Sequence, residues 1–207
     1  MLTGSALEPL PRLIGIAGPS CAGKTTLAQA LLSQLPEPAS VLSLDAYYRD
    51  CSKLSAAEKA DFNFDAPEAL DHELLSSDLR RLASGHNINM PMYDFVSHTR
   101  KSEHIHVEAR PFILIEGLFA LYWSEIIPLY HLRIFIAISD SLCFKRRLYR
   151  DTRERGRSPD LIRTQYQSQV RPMFHRYIQP TVRSADLLID GSAPLTTQID
   201  AIVEKLN

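Results

Sequence analysis

The chain has 207 residues, 45% of them apolar and 23% charged, which suits one soluble α/β domain with a full core. Its 23 Lys and Arg against 24 Asp and Glu leave a net charge of −1, so the overall balance favours neither nucleic acid nor an anionic membrane as a partner. No apolar run reaches bilayer length, no secretory signal is legible, and Cys21, Cys51 and Cys143 are widely spaced without a metal-like pattern; a reduced cytoplasm is the expected setting.

Residues 1–11 hold Gly4, Pro9 and Pro11 and read as a frayed tail. Leu13 to Ala17 then reads as a buried strand. It leads into Gly18-Pro19-Ser20-Cys21-Ala22-Gly23-Lys24-Thr25, which fits G-x-x-x-x-G-K-[ST], and Thr26 to Leu32 reads as a helix. Strand, loop and helix together are the context this phosphate-binding motif requires. Its glycines let the backbone wrap a phosphate chain, and the amides at the helix start supply positive potential. Lys24 adds a full charge, and the Thr25 hydroxyl suits magnesium. Gly18 through Thr26 are therefore expected to hold a nucleoside triphosphate with Mg2+. A thiol at a helix start can ionise readily, so alkylation or oxidation of Cys21 is expected to block nucleotide binding.

Further strand-like runs lie at about 40–44, 112–116, 132–138 and 186–189, with helical patterns between them. Strands alternating with helices predict a parallel five-stranded sheet covered on both faces. Asp45 stands just after the second strand, where a carboxylate faces the γ-phosphate and can orient an acceptor hydroxyl and take its proton.

The interval of about 46–110 is too long for a single crossover. Ser55 to Glu58 forms a capping box, Asp71 is placed to cap a helix over about 71–84 that Gly85 ends, and Ile88 to Val107 reads as a two-stranded ribbon. Such an insertion, beyond the carboxyl ends of the strands, is a natural wall for an acceptor substrate. Phe64-Asp65 and Pro91 to His98 put aromatics, a carboxylate and a histidine there, a set suited to a sugar and a planar base.

Phe112 to Gly117 reads as a buried strand ending in Glu116, placed to hold magnesium directly or through water. Lys145, Arg146, Arg147, Arg150, Arg153, Arg155 and Arg157 crowd one helix, with Ser139 or Asp140 as its cap and Gly156 as its breaker. Its tip, over about 147–160, is expected to act as an arginine-bearing lid over the transferred phosphate.

These residues resemble the uridine kinase (uridine–cytidine kinase) family of the phosphoribulokinase/uridine kinase group of P-loop kinases. The resemblance covers about 12–190 and rests on Gly18–Thr25, Leu44 to Tyr48, Asn63 to Asp71, Pro91 to Arg100, Ile115 to Gly117, Arg150 to Ser158, Gln165-Tyr166 and Val170 to Phe174. It implies a single P-loop kinase domain that transfers the γ-phosphoryl group of ATP or GTP to the 5′-hydroxyl of uridine or cytidine. By the same resemblance Asp45 is the catalytic base, assisted by Lys24, Arg150 and Arg155. Arg157 also meets phosphate, and Asp65, Arg147 and Gln165 hold the ribose. Tyr93, Phe95 and His98 frame the base, while Tyr48 and Phe64 line the pocket. It further implies a dimer or tetramer. Ala66 departs from the family, which commonly has His there, and this bears on substrate preference.

Three other readings compete. Within the same class is a related kinase acting on nicotinamide riboside, pantothenate or ribulose 5-phosphate. A different class is a phosphate-loop switch that binds nucleotide to control a partner protein, and a third is a kinase-derived protein that has lost catalysis and acts only in regulation. The chain has no guanine-reading Asn/Thr-Lys-x-Asp pattern, and it retains Lys24, Asp45 and Glu116.

Overall fold

The computed structural model describes residues 9–206, so most of the expected N-terminal tail lies outside the described residues. Five strands, β1 (Arg12–Ala17), β2 (Ala39–Ser43), β5 (Phe112–Glu116), β6 (Tyr130–Ala137) and β7 (Leu187–Asp190), make one sheet in the order β2-β5-β1-β6-β7. Every neighbouring pair in it is parallel.

Strand alternation sorts the core into two layers. Ile14 and Ile16 of β1, Leu114 of β5 and Ile134 and Ile136 of β6 pack with Leu27, Ala28, Leu31 and Ile202. The last four belong to α1 (Lys24–Leu31) and α7 (Leu195–Leu206), which therefore cover one face. Leu13, Ile113, Ile115 and Phe135 point the other way, onto Leu75, Leu79 and Leu82 of α3 (His72–Ala83) and onto Phe119 and Leu121. Both faces are thus buried, as a parallel sheet requires.

The insertion folds as anticipated. Ser55 and Glu58 complete the capping box of α2 (Ala56–Asp61), and Asp71 accepts from the Leu74 amide to start α3. The ribbon pairs β3 (Ile88–Asp94) antiparallel to β4 (Thr99–Val107) in a sheet of its own. Along β4 Val107 is buried while Ile105 is 43% exposed.

Ser139, not Asp140, caps α4 (Asp140–Glu154), and Gly156 beyond its end adopts φ +62°. From α5 (Pro159–Gln165) the chain continues through wide five-residue turns at Tyr166–Val170 and Phe174–Ile178, separated by α6 (Arg171–Met173). No local sequence signal marks those turns.

Candidate active site

The carboxyl ends of β1, β2 and β5 converge on a cleft of about 950 Å³. The phosphate loop forms one side. Gly23, at φ +102°, makes the turn into α1, and no side chain caps that helix, so the amides of its first turn remain available to an anion. Cys21 also takes a left-handed conformation, φ +63°, rare for a residue with a side chain. The Lys24 side chain is buried, and its ammonium donates to the carbonyls of Gly18 and Pro19 at 3.1 and 2.9 Å. Burial lowers the Lys24 pKa, while Glu116 and Asp45 oppose that shift. Ser20, Cys21, Ala22, Gly23, Thr25 and Thr26 line the same cleft.

Two carboxylates stand opposite. Glu116 ends β5, only 4% exposed, and Ser43 at the paired end of β2 donates to it at 2.7 Å. Gly117 follows because a Cβ there would lie 2.5 Å from the Leu44 side chain, so only glycine lets the two strand tips approach. Asp45 sits in the turn Leu44–Tyr47. Enclosure by the cleft walls, reinforced by the Glu116 charge, pushes its carboxyl up to about 6, against the pull of Lys24, Arg155 and Arg150. The side chain stays open to water from the cleft, confined rather than dry.

The far wall is aromatic. Phe64 stacks on His98 with centroids 4.3 Å apart, and Tyr48 meets Phe64 edge-on at 5.7 Å while donating its hydroxyl to the Phe64 carbonyl at 3.0 Å. Phe95, 47% exposed, completes this wall. Burial, then the cations Arg157 and Lys59, lower the His98 pKa, which favours the neutral imidazole with one donor and one acceptor nitrogen. Burial raises the pKa of Asp65, opposed first by Arg147.

Tyr93, expected to frame the base, lies behind this wall, 9% exposed, with its ring 5.5 Å from Tyr48 and 5.2 Å from Phe95. The physical reason is strand geometry: Tyr93 points inward from β3, whereas Phe95 falls just past the strand end and turns outward.

The arginine tip closes the perimeter. Arg147, Arg150, Arg155 and Arg157 all line the cleft, as does Gln165, whose carbonyl oxygen accepts from Arg157 at 3.2 Å. Arg147 donates to the Ser20 hydroxyl at 3.1 Å, tying the tip to the phosphate loop. Every other residue nominated from sequence is brought together here, with Gly18 and Pro19 held just beneath by Lys24.

Several participants had been assigned no role from sequence. Arg146 donates to the carbonyls of Cys21, Ala22 and Gly191, clamping the outside of the loop. Arg100 holds the Tyr47 and Tyr48 carbonyls and pairs with Asp71. Gln198 extends the cleft along α7 and spends its amide nitrogen on the Ala193 carbonyl. For the magnesium expected here the donor set is hard oxygen, Thr25 and Glu116. Among the described residues no group of three or more His, Cys, Asp or Glu side chains gathers to hold a metal alone. That fits an ion carried mainly by phosphate oxygens, which needs only one or two protein ligands.

The model of the Phosphoribulokinase / Uridine kinase family matches residues 13–197. The chain is 38% identical to the uridine kinase of Lactobacillus johnsonii over 198 residues, covering 95% of this chain and 94% of that protein. It is 37% identical to the uridine kinase of Cronobacter sakazakii over 200 residues, with 94% of each covered. The fold matches that of phosphoribulokinase from Rhodobacter spheroides with a TM-score of 0.64 at 16% identity, covering 89% of this chain and 74% of that one. A phosphate loop, its facing carboxylates and a match spanning nearly the whole length agree: this chain belongs to the phosphoribulokinase/uridine kinase family.

Proposed function

We propose that this protein is a nucleoside kinase that transfers the γ-phosphoryl group of ATP, or GTP, to the 5′-hydroxyl of uridine or cytidine, giving UMP or CMP for pyrimidine salvage. The observation that carries the reading is the single cleft in which Asp45 faces Lys24 and Glu116, with Tyr48, Phe64, Phe95 and His98 beyond it. The curated relatives named uridine kinase support the choice of acceptor.

Asp45 aligns the nucleoside hydroxyl and takes its proton as the oxygen attacks the γ-phosphorus, and the bond to the β,γ-bridging oxygen breaks. An Asp45 pKa near 6 leaves it ionised at neutral pH yet basic enough to accept. Lys24 and the loop amides hold the β and γ phosphates, while Arg150, Arg155 and Arg157 receive the charge that spreads over the moving group. Thr25 and Glu116 hold Mg2+, which when bound neutralises phosphate charge. Asp65, Arg147 and Gln165 take the ribose hydroxyls; His98 and Phe95 frame the pyrimidine.

The free thiols of Cys21, Cys51 and Cys143 support a reducing, cytoplasmic setting. No helix among the described residues is long and apolar enough to cross a membrane. The family resemblance supports a homodimer or tetramer.

ADP release coupled to uridine, cytidine, nicotinamide riboside, pantothenate and ribulose 5-phosphate tests the proposal. Turnover with a pyrimidine nucleoside well above the others is expected. Turnover only with one of the last three would overturn the acceptor, and none with any would overturn the kinase.

A further inference from the structure

Asp151 has no place in the mechanism above, yet it is the most completely buried charged side chain described, 0% exposed. Four guanidinium groups surround it. Arg150 donates to Oδ1 at 2.8 Å, and Arg155 stands 3.7 Å from the same oxygen. Arg147 and Arg157 stand 3.5 and 3.8 Å from Oδ2. All four line the cleft, together with Arg146. The backbone adds a further tie, since the Arg157 amide donates to the Asp151 carbonyl at 3.1 Å.

Helical spacing explains how one carboxylate reaches them. Arg147, Asp151 and Arg155 fall at i, i+4 intervals on one stripe of α4 and the residue after it. Gly156, at φ +62°, then turns the chain so that Arg157 comes back to the same point.

Four like charges this close repel one another, and each arginine has large side-chain entropy to lose on being fixed. Left alone they would splay into water. A single carboxylate behind them removes part of the repulsion and leaves the cluster with a surplus of three positive charges facing the cleft. Oδ1 is committed to Arg150, while Oδ2 has no hydrogen bond at proper length. Arg147 and Arg157 are therefore gathered by its charge and held by single hydrogen bonds elsewhere, to Ser20 and to Gln165, which leaves each guanidinium further N–H groups for a ligand.

We propose that Asp151 is a positioning residue for phosphoryl transfer. It assembles the lid arginines before the donor arrives and touches neither substrate itself. The proposal rests on the kinase reading above. The bland alternative is a buried ion pair that merely staples α4 to the segment after it.

The two predict different kinetics. Asp151→Asn raises the charge of the cluster while releasing its geometry. We expect kcat with ATP and uridine to fall at least tenfold, ATP binding to stay unchanged or tighten up to severalfold, and its salt dependence to steepen. Asp151→Glu keeps the charge but displaces the carboxylate; it should melt like wild type and show a smaller kcat loss with ATP affinity intact. A structural staple would weaken ATP binding and kcat together, in step with the melting temperature. That pattern, wild-type kcat in either folded variant, or loss of the cooperative melt in both would overturn the proposal. A wild-type protein inactive with every acceptor named above would instead overturn the kinase reading, which the same assay reports separately.

Discussion

Ser43 links the Glu116 carboxylate to the turn that carries Asp45: its hydroxyl donates to Glu116 at 2.7 Å and accepts from the Asp45 backbone amide at 3.4 Å. One small side chain at the tip of β2 thus orients the proposed metal ligand and caps the turn that carries the proposed base. Outer partners of this kind set a ligand's aim. Ser43→Ala should raise the Mg2+ concentration for half-maximal rate about tenfold and cost about 1 kcal/mol of stability. Magnesium titration of initial rates, beside a denaturant melt, checks both; an unchanged magnesium curve would remove Ser43 from the site.

Asp45 gives a prediction with two signs. Its carboxyl titrates at about 6, raised from the ordinary value by confinement and then by Glu116. As a base it works only when ionised, so kcat should climb from pH 5 to 7 and level off above. Stability runs the other way. A raised folded-state pKa means the folded protein holds the proton more tightly, so this contribution is full below the ordinary carboxyl pKa and is lost as pH rises through about 6. Asp45→Asn should therefore lose roughly 10²–10⁴-fold in kcat while melting no lower than wild type at pH 8.

Arg155 is the most exposed of the four arginines around Asp151, 41% at its side chain, and stands 3.7 Å from that carboxylate. Removing it should spare the fold. We expect Arg155→Ala to lower kcat by about 10²–10³, as for other single preorganised donors, with little change in the nucleoside KM. Steady-state kinetics against both substrates decide this, and an equal rise in nucleoside KM would argue against a role confined to phosphate.

Arg100 fastens the ribbon to the catalytic turn, through the Tyr48 and Tyr47 carbonyls at 2.9 and 3.2 Å and Asp71 at 3.1 Å. Arg100→Met leaves those acceptors short of donors. It should cost about 2 kcal/mol, a fall of roughly 4–8 °C in Tm for a chain of this size, and raise the nucleoside KM more than the ATP KM. Calorimetry with paired KM measurements tests it.

Cys21 lines the cleft with its thiol 3.8 Å from the Ser20 hydroxyl. Alkylation there should abolish ATP binding, and saturating ATP should protect it. Mass spectrometry of the labelled peptide beside residual activity gives the answer; full activity in a fully labelled protein ends the idea.

The parallel sheet was readable from the chain because its strands are short, apolar and buried on both faces, as Phe112 to Ile115 are. The phosphate loop is local, so its motif carried Lys24 and Thr25 directly. What stayed hidden was non-local. Ser43 acquires meaning only when β2 pairs with β5 and brings Glu116, 73 residues away, to its side. Arg100 meets Tyr48 across 52 residues. Asp151 was an exception in principle: its i, i+4 spacing from Arg147 and toward Arg155 was visible, but an acid among many cations reads as ordinary charge balance until its burial is known. Neither pattern nor motif reveals that β3 stops at Asp94, with Tyr93 buried before its end and Phe95 exposed beyond it.

The hairpin of β3 and β4 shares no register pair with the five-stranded sheet. Phe95 and His98 are thus carried on a scaffold apart from the strands that carry the phosphate loop, joined to it by contacts such as that of Arg100 with the Tyr47 and Tyr48 carbonyls. Exchanging residues 88–107 for the ribbon of a relative with another appetite, with Arg100 and the buried Met90, Tyr93 and Val107 kept, should shift the choice of alcohol only in part and leave the engine for ATP running.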